Sequence, residues 1–252
     1  PGRHGMNPFF EVFTRLPFTR NEADVQRACA WLSGSDTMGR PPGLAGARNE
    51  SNARHAQTTW GIAGMPMRVT VEETRLPGVL LVKAGIARDA RGFFSEIYSQ
   101  PAFAEAGLDA PFVQDNLSLS AKGIFRGLHY QLEPFAMGKL VRAIRGAVFD
   151  VVVDLRAGSP TFGQWLGVTL TEENHLALWA PPGFAHGFLT LEDQTLFHYK
   201  CTQVHTPGAE RSVRYDDPAI GIQLPMPPAL LSEKDAKAPL LKDAEFNFRY
   251  HD

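Results

Sequence analysis

Residues 139–155 read KLVRAIRGAVFDVVVDL, two runs rich in β-branched and aromatic residues, KLVRAIR (139–145) and AVFDVVVDL (147–155), parted at Arg145-Gly146. Such side chains suit the packed surface of a sheet, and a glycine between two such runs punctuates them. The pattern continues in both directions. VLLVKA (79–84), FFSEIY (93–98), FVQDNLSLS (112–120) and IFRGLHY (124–130) precede it; WLGVTL (165–170), HLALWA (175–180) and TLFHYKC (195–201) follow. Ala157-Gly158-Ser159-Pro160 and Pro181-Pro182-Gly183 separate later runs. Only Pro101 to Gly107 offers a short helix, so the spacing predicts an all-β sandwich or barrel over residues 67–252. No P-loop, dinucleotide fingerprint or long internal repeat appears.

Upstream, residues 1–66 have a different character. Asn21 to Leu32 can form a helix, with Asn21 as cap and Val25, Ala28 and Leu32 as a narrow apolar face. The remainder, rich in Gly, Pro, Ser, Asn and Arg, cannot bury much apolar surface and is expected to be mostly disordered. Met65 and Met67 stand just before the first strand-like segment. Residues 1–66 therefore read as a dispensable N-terminal extension, either native or non-native upstream sequence.

The 252 residues carry 25 Lys plus Arg against 27 Asp plus Glu, a formal charge of −2, which argues against a nucleic-acid binder or a polybasic membrane-surface protein. With 44% apolar and 21% charged residues, the composition is that of a globular protein. No apolar run approaches the roughly 20 residues needed to span a bilayer. Two cysteines, Cys29 and Cys201, fit no metal-ligand pairing. A cytoplasmic protein is the expectation.

Three clusters carry candidate chemistry. In Phe125-Arg126-Gly127-Leu128-His129-Tyr130-Gln131, Arg126 and His129 share a face only if Gly127 makes a bulge. A strand histidine is most often a packed, hydrogen-bonded core residue. In Trp179 to Phe188, a Pro-Pro-Gly turn delivers His186 into the next strand, where capping backbone carbonyls is the ordinary role. Lys139 and Arg142 would ordinarily be solvated strand charges.

Pro181-x-Gly183-x-x-His186 resembles the second motif of the cupin barrels, and Leu128 to Glu133 falls where their metal-binding motif lies. Gln131 stands where the second metal-binding histidine would be, which disfavours a metal-dependent cupin and points to a metal-free barrel. A closer resemblance covers about Val79 to Asp243. RGFFSE, FVQDNLS, RGLHYQ, GKLVRAIRG, VFDVVVDLR, GSPTFGQWLGVTL, PPGFAHGF and LSEKDAKAPLL, in this order, look like the dTDP-4-dehydrorhamnose 3,5-epimerases. That resemblance implies a cupin-type jelly roll and a homodimer in which an N-terminal strand crosses to the partner. It also implies a dTDP-4-keto-6-deoxy-hexose substrate and no cofactor, metal or nicotinamide.

Epimerisation beside a ketone needs a base, an enolate stabiliser and an acid. The resemblance implies His129 as base, Asp235 as the carboxylate holding its other ring nitrogen, and Lys139 near the C4 oxygen. It also implies substrate contacts from Arg126, Gln114, Asn116, His186 and Tyr199, with Arg91, Phe94 and Glu96 reaching across the dimer. Three positions depart from the pattern. Val204 stands where a tyrosine acid is expected, Leu117 replaces a polar residue, and Ala87 replaces an aromatic. His205, Tyr199 or a water is then left to supply the acid. The alternatives to 3,5-epimerisation are a single-centre epimerase and a catalytically weak sugar-nucleotide binder.

Overall fold

The structure is a computed structural model that describes residues 68–251; the extension at 1–66 and its expected helix lie outside the described residues. Thirteen strands are formed: β1 Thr70–Glu73, β2 Leu80–Lys83, β3 Ala87–Asp89, β4 Gly92–Phe94, β5 Gln114–Ser120, β6 Phe125–Gln131 and β7 Lys139–Arg145, then β8 Ala147–Asp154, β9 Trp165–Thr171, β10 Leu176–Ala180, β11 Phe184–Thr190, β12 Thr195–Cys201 and β13 Glu210–Ser212. Two short helices, α1 Gln100–Glu105 and α2 Glu233–Ala236, and a 3-10 turn at Leu241–Asp243 complete the described elements. None of these helices is long and apolar enough to cross a membrane.

The strands build a six-stranded sheet, β1-β2-β10-β7-β12-β5, and a five-stranded sheet, β13-β6-β11-β8-β9. Val141, Leu178 and Phe197 of the first pack against Val148, Val152, Leu170, Phe184 and Phe188 of the second, so the two sheets enclose one apolar core as a jelly roll. The five-stranded sheet is also covered outside. Val151 and Val153 of β8, with Leu155 just beyond it, pack with Val213, Ile220 and Phe248 from the C-terminal stretch. A strand buried on both faces reads as a continuous apolar run rather than an alternating one, which is why 147–155 is so rich in valine. The segment around α1 covers the six-stranded sheet in the same way, with Phe103, Leu108 and Phe112 against Leu140, Ala177 and Trp179.

FFSEIY is only partly a strand, because β4 ends at Phe94. Beyond it Tyr98 packs at an angle on Phe103 and edge-on against Phe112, and the Ile97 carbonyl accepts from Arg142, so the run serves as cover for the sheet below. The expected strand at TLFHYKC ends at Cys201, and 202–206 is a loop. Strand alternation therefore does not set the directions of Val204 and His205.

The bulge that Arg126 and His129 require is present. Pairing of β11 with β6 advances two residues on β11, His186 to Phe188, while β6 runs back three, His129 to Arg126. Gly127 sits in this irregularity at φ +138°, and a Cβ there would lie 2.5 Å from the Gly187 Cα. Only glycine fits both the backbone angle and the space. Gly127→Ala is expected to destabilise the protein by about 2 to 5 kcal/mol through overpacking and backbone strain, read in a denaturant titration. A variant of unchanged stability would show that the two strands do not meet so closely.

Candidate active site

A cavity of about 370 Å³ opens between the sheets, lined by Arg126 and His129 from β6, Lys139 from β7, His186 from β11 and Tyr199 from β12. Ser232, Lys234 and Asp235, at and within α2, close one wall. That wall is tied to the barrel by backbone bonds: Phe125 N–H donates to the Leu230 carbonyl at 3.1 Å, and Ile124 bridges Leu230 in parallel.

His129 Nε2 and Asp235 Oδ1 are 2.5 Å apart. Asp235 is almost fully buried, and its other oxygen accepts from the Gly127 N–H at 3.4 Å. Ser232 caps α2 by accepting from the Asp235 N–H. Burial works against the Asp235 charge, but the hydrogen bond and charge of His129, with the Ser232 and Gly127 contacts, overcome it and hold the carboxyl below its ordinary range. An ionised carboxylate at Nε2 fixes the ring and leaves Nδ1 as the nitrogen for proton transfer.

Lys139, partly buried, lies in the cavity lining. Desolvation lowers its pKa, and nearby Cys201, Asp150 and Glu210 partly restore it. Beside it lies a second histidine–carboxylate pair, in which Asp150 Oδ2 is 2.9 Å from His186 Nε2. Burial raises the pKa of Asp150 and lowers that of His186, each opposed by the other. His186 thus holds a carboxylate rather than a backbone carbonyl. Asp150 was not among the expected site residues, yet a charge within VFDVVVDL signals a buried partner, because an isolated carboxylate there is costly. Its position on β8 is diagonal to His186, whose direct partner is Val152, so the two side chains share a face.

Tyr199 borders the cavity, with its phenol held above the ordinary range by burial first and by Cys201 and Glu210 next. Lys234, also in the lining, is held by Glu210 at 2.5 Å. Burial opposes the Glu210 charge, and Lys234, His129 and His205 outweigh it, so that carboxyl lies below its ordinary range.

The other expected site residues stand elsewhere. Gln114 donates to Asn116 at 3.1 Å and Asn116 to the Cys201 thiol at 3.5 Å, neither residue being part of the cavity lining. Arg91 pairs with Asp89 on the exposed β3–β4 hairpin, where Phe94 is also exposed, and Glu96 follows it in the exposed stretch. Val204 is half exposed and outside the lining. His205 faces Glu210 at 3.5 Å beside a small adjoining cleft that also touches His129 and Lys139. Buried Gln131 donates to the Phe135 and Val204 carbonyls and accepts from the Thr206 N–H, so at the position of a metal ligand it clamps the 202–206 loop. Among the described residues, no group of three or more His, Cys, Asp or Glu side chains is placed to hold a metal ion.

Comparison with known proteins is consistent along most of this length. The family model described as dTDP-4-dehydrorhamnose 3,5-epimerase matches residues 73–243. The dTDP-4-dehydrorhamnose 3,5-epimerase of Shigella flexneri is 48% identical over 179 residues, 71% of this chain and 99% of that one. Among solved structures, the dTDP-6-deoxy-D-glucose-3,5-epimerase of Legionella pneumophila in complex with dTDP-4-keto-L-rhamnose superposes with a TM-score of 0.70 at 43% identity, covering 73% of this chain and 100% of that one. A 3′-monoepimerase from Streptomyces bikiniensis, solved with dTDP as a double mutant in one histidine and one tyrosine, is 35% identical with a TM-score of 0.64, covering 68% of this chain and 87% of that one.

Proposed function

Because the chain belongs to the dTDP-4-dehydrorhamnose 3,5-epimerase family, we propose that this cavity inverts C3 and C5 of a dTDP-4-dehydro-6-deoxy-hexose, an isomerase step of dTDP-L-rhamnose or related deoxysugar synthesis. The observation that carries the residue roles is the convergence of His129 with its buried carboxylate, Lys139 and Tyr199 on one cavity. C3 and C5 both flank the C4 ketone, so removal of either proton gives an enolate with its charge on the same oxygen. One cation at that oxygen serves both centres, and Lys139 takes this role. His129 Nδ1 removes the proton, the imidazolium being supported by Asp235. Inversion then needs a proton from the opposite face.

Tyr199 supplies that proton. It has a titratable hydroxyl in the lining, whereas Val204 is outside it and His205 is engaged with Glu210 beside the adjoining cleft. The spacing supports this: the histidine and tyrosine altered together in the Streptomyces bikiniensis monoepimerase lie seventy positions apart, as do His129 and Tyr199. The departure at Val204 thus leaves the acid in place. Neither the single-centre nor the binding-only reading is favoured, since the Shigella and Legionella relatives are 3,5-epimerases.

Arg126, at the lip, supplies the forked cation for the diphosphate. A homodimer in which the hairpin carrying Arg91 and Phe94 completes the partner's site accounts for the exposed Phe93 and Phe94 and for Leu117 and Leu119 on the edge strand β5. A cytoplasmic location fits the same reading. The test is incubation with dTDP-4-keto-6-deoxyglucose in deuterium oxide, followed by NMR. Deuterium at both C3 and C5 with inversion at both is expected; no incorporation at either carbon would refute the assignment.

A further inference from the structure

Among the described residues, neither Arg126 nor Lys139 of the cavity lining is paired with a carboxylate, and Arg126 is held instead by a hydroxyl. Its Nε and Nη2 both donate to one oxygen, Ser120 Oγ, at 3.3 and 3.2 Å, and among the described residues these are its side-chain hydrogen bonds. Ser120 is buried and ends β5 in the six-stranded sheet, while Arg126 lies on β6 in the other. The contact crosses from sheet to sheet at the cavity lip. Arg126 itself is exposed, and among the described residues its Nη1 makes no hydrogen bond.

We propose that Ser120 is a positioning residue for nucleoside diphosphate recognition: it fixes the Arg126 fork without neutralising it. This rests on the reading above that the cavity takes a dTDP-sugar. An arginine side chain has many rotamers, and a free one loses that freedom when it binds an anion. Holding it beforehand removes part of that loss from binding. A carboxylate at position 120 would hold the guanidinium at least as firmly, but its charge would cancel that of Arg126 and repel the diphosphate. A buried hydroxyl gives the orientation and leaves the charge free. The bulge at Gly127 completes the arrangement, since without it Arg126 and His129 would face opposite ways and the anchored diphosphate would not place the sugar over the base.

The experiment is calorimetric titration with dTDP, with steady-state kinetics on the sugar nucleotide. Ser120→Ala is expected to weaken dTDP binding about tenfold and to raise KM in proportion, with kcat changed less than about threefold. Ser120→Asp is expected to lose about a hundredfold, more than its near-isostere Ser120→Asn. Ser120→Thr keeps the hydroxyl and is expected to retain affinity. In an Arg126→Ala background Ser120→Ala is expected to have no further effect, whereas a merely structural serine would cost the same in both backgrounds. Arg126→Lys, which cannot use the fork, is likewise expected to be insensitive to residue 120. Equal loss in the wild-type and Arg126→Ala backgrounds, or equal affinity of the Asn and Asp variants, overturns the proposal. If Ser120→Ala does not fold, the Asn and Asp pair decides. Failure of the wild-type protein to bind dTDP would instead overturn the substrate reading itself.

Discussion

His129→Ala is expected to abolish deuterium exchange at both C3 and C5, a loss of about 10⁴-fold, while dTDP affinity stays within about threefold. The two carbons fall together because one imidazole serves both. Asp235→Asn is expected to lose about 10²-fold or more: an amide at the same place hydrogen-bonds the ring but cannot support the imidazolium that forms. Stability gives a second readout. The folded state holds the Asp235 pKa below its ordinary 3.8, so the pair adds stability that is present above that pH and is lost as the pH falls through the depressed value. The asparagine variant is expected to lose that part of the acid sensitivity in melts taken across the range. Full exchange at either carbon in His129→Ala would mean that another base acts there.

Tyr199→Phe is expected to separate the two halves of the reaction. His129 still removes and returns a proton on its own face, so deuterium continues to enter at C3 and C5, but net inversion falls by about 10²- to 10⁴-fold. The ratio of exchange to inversion, followed by NMR, is the measured quantity. His205→Ala and Val204→Tyr are expected to leave that ratio near the wild-type value, because neither position lines the cavity. A collapse of inversion in His205→Ala with Tyr199→Phe unaffected would move the acid to the 202–206 loop.

The strands were readable where burial on both faces imposed an apolar run, as in β8 and β10. They were not readable where a strand is short and contributes no buried residue: TVEE, ARD and ERS form β1, β3 and β13 through pairing with a neighbour, and their own side chains carry no apolar alternation. FFSEIY failed for the opposite reason, since aromatic packing onto a sheet gives a loop the same composition as a strand. At the site, Gly127 announced the bulge that lets Arg126 and His129 share a cavity. The pairing of His129 with Asp235, 106 positions apart, is set by tertiary structure and was legible only through family resemblance. The acid was left open among His205, Tyr199 and a water, because the strand ends at Cys201 and the pattern of the loop beyond it does not set where Val204 and His205 point. Asp150 and the Ser120 contact with Arg126 were missed because a strand's sequence does not name its neighbours across the barrel.

The placement of Asp235 on α2 bears on how the protein comes into being. Chains are made from the N-terminus and acquire structure as they emerge. Every strand of both sheets, and with them His129, Lys139, His186 and Tyr199, precedes the carboxylate that orients the base. A chain released before residue 235 would carry the strands of the barrel and an imidazole in the cavity, yet lack the group that directs it. The site is therefore completed late in synthesis, with the docking of residues 229–235 along the start of β6.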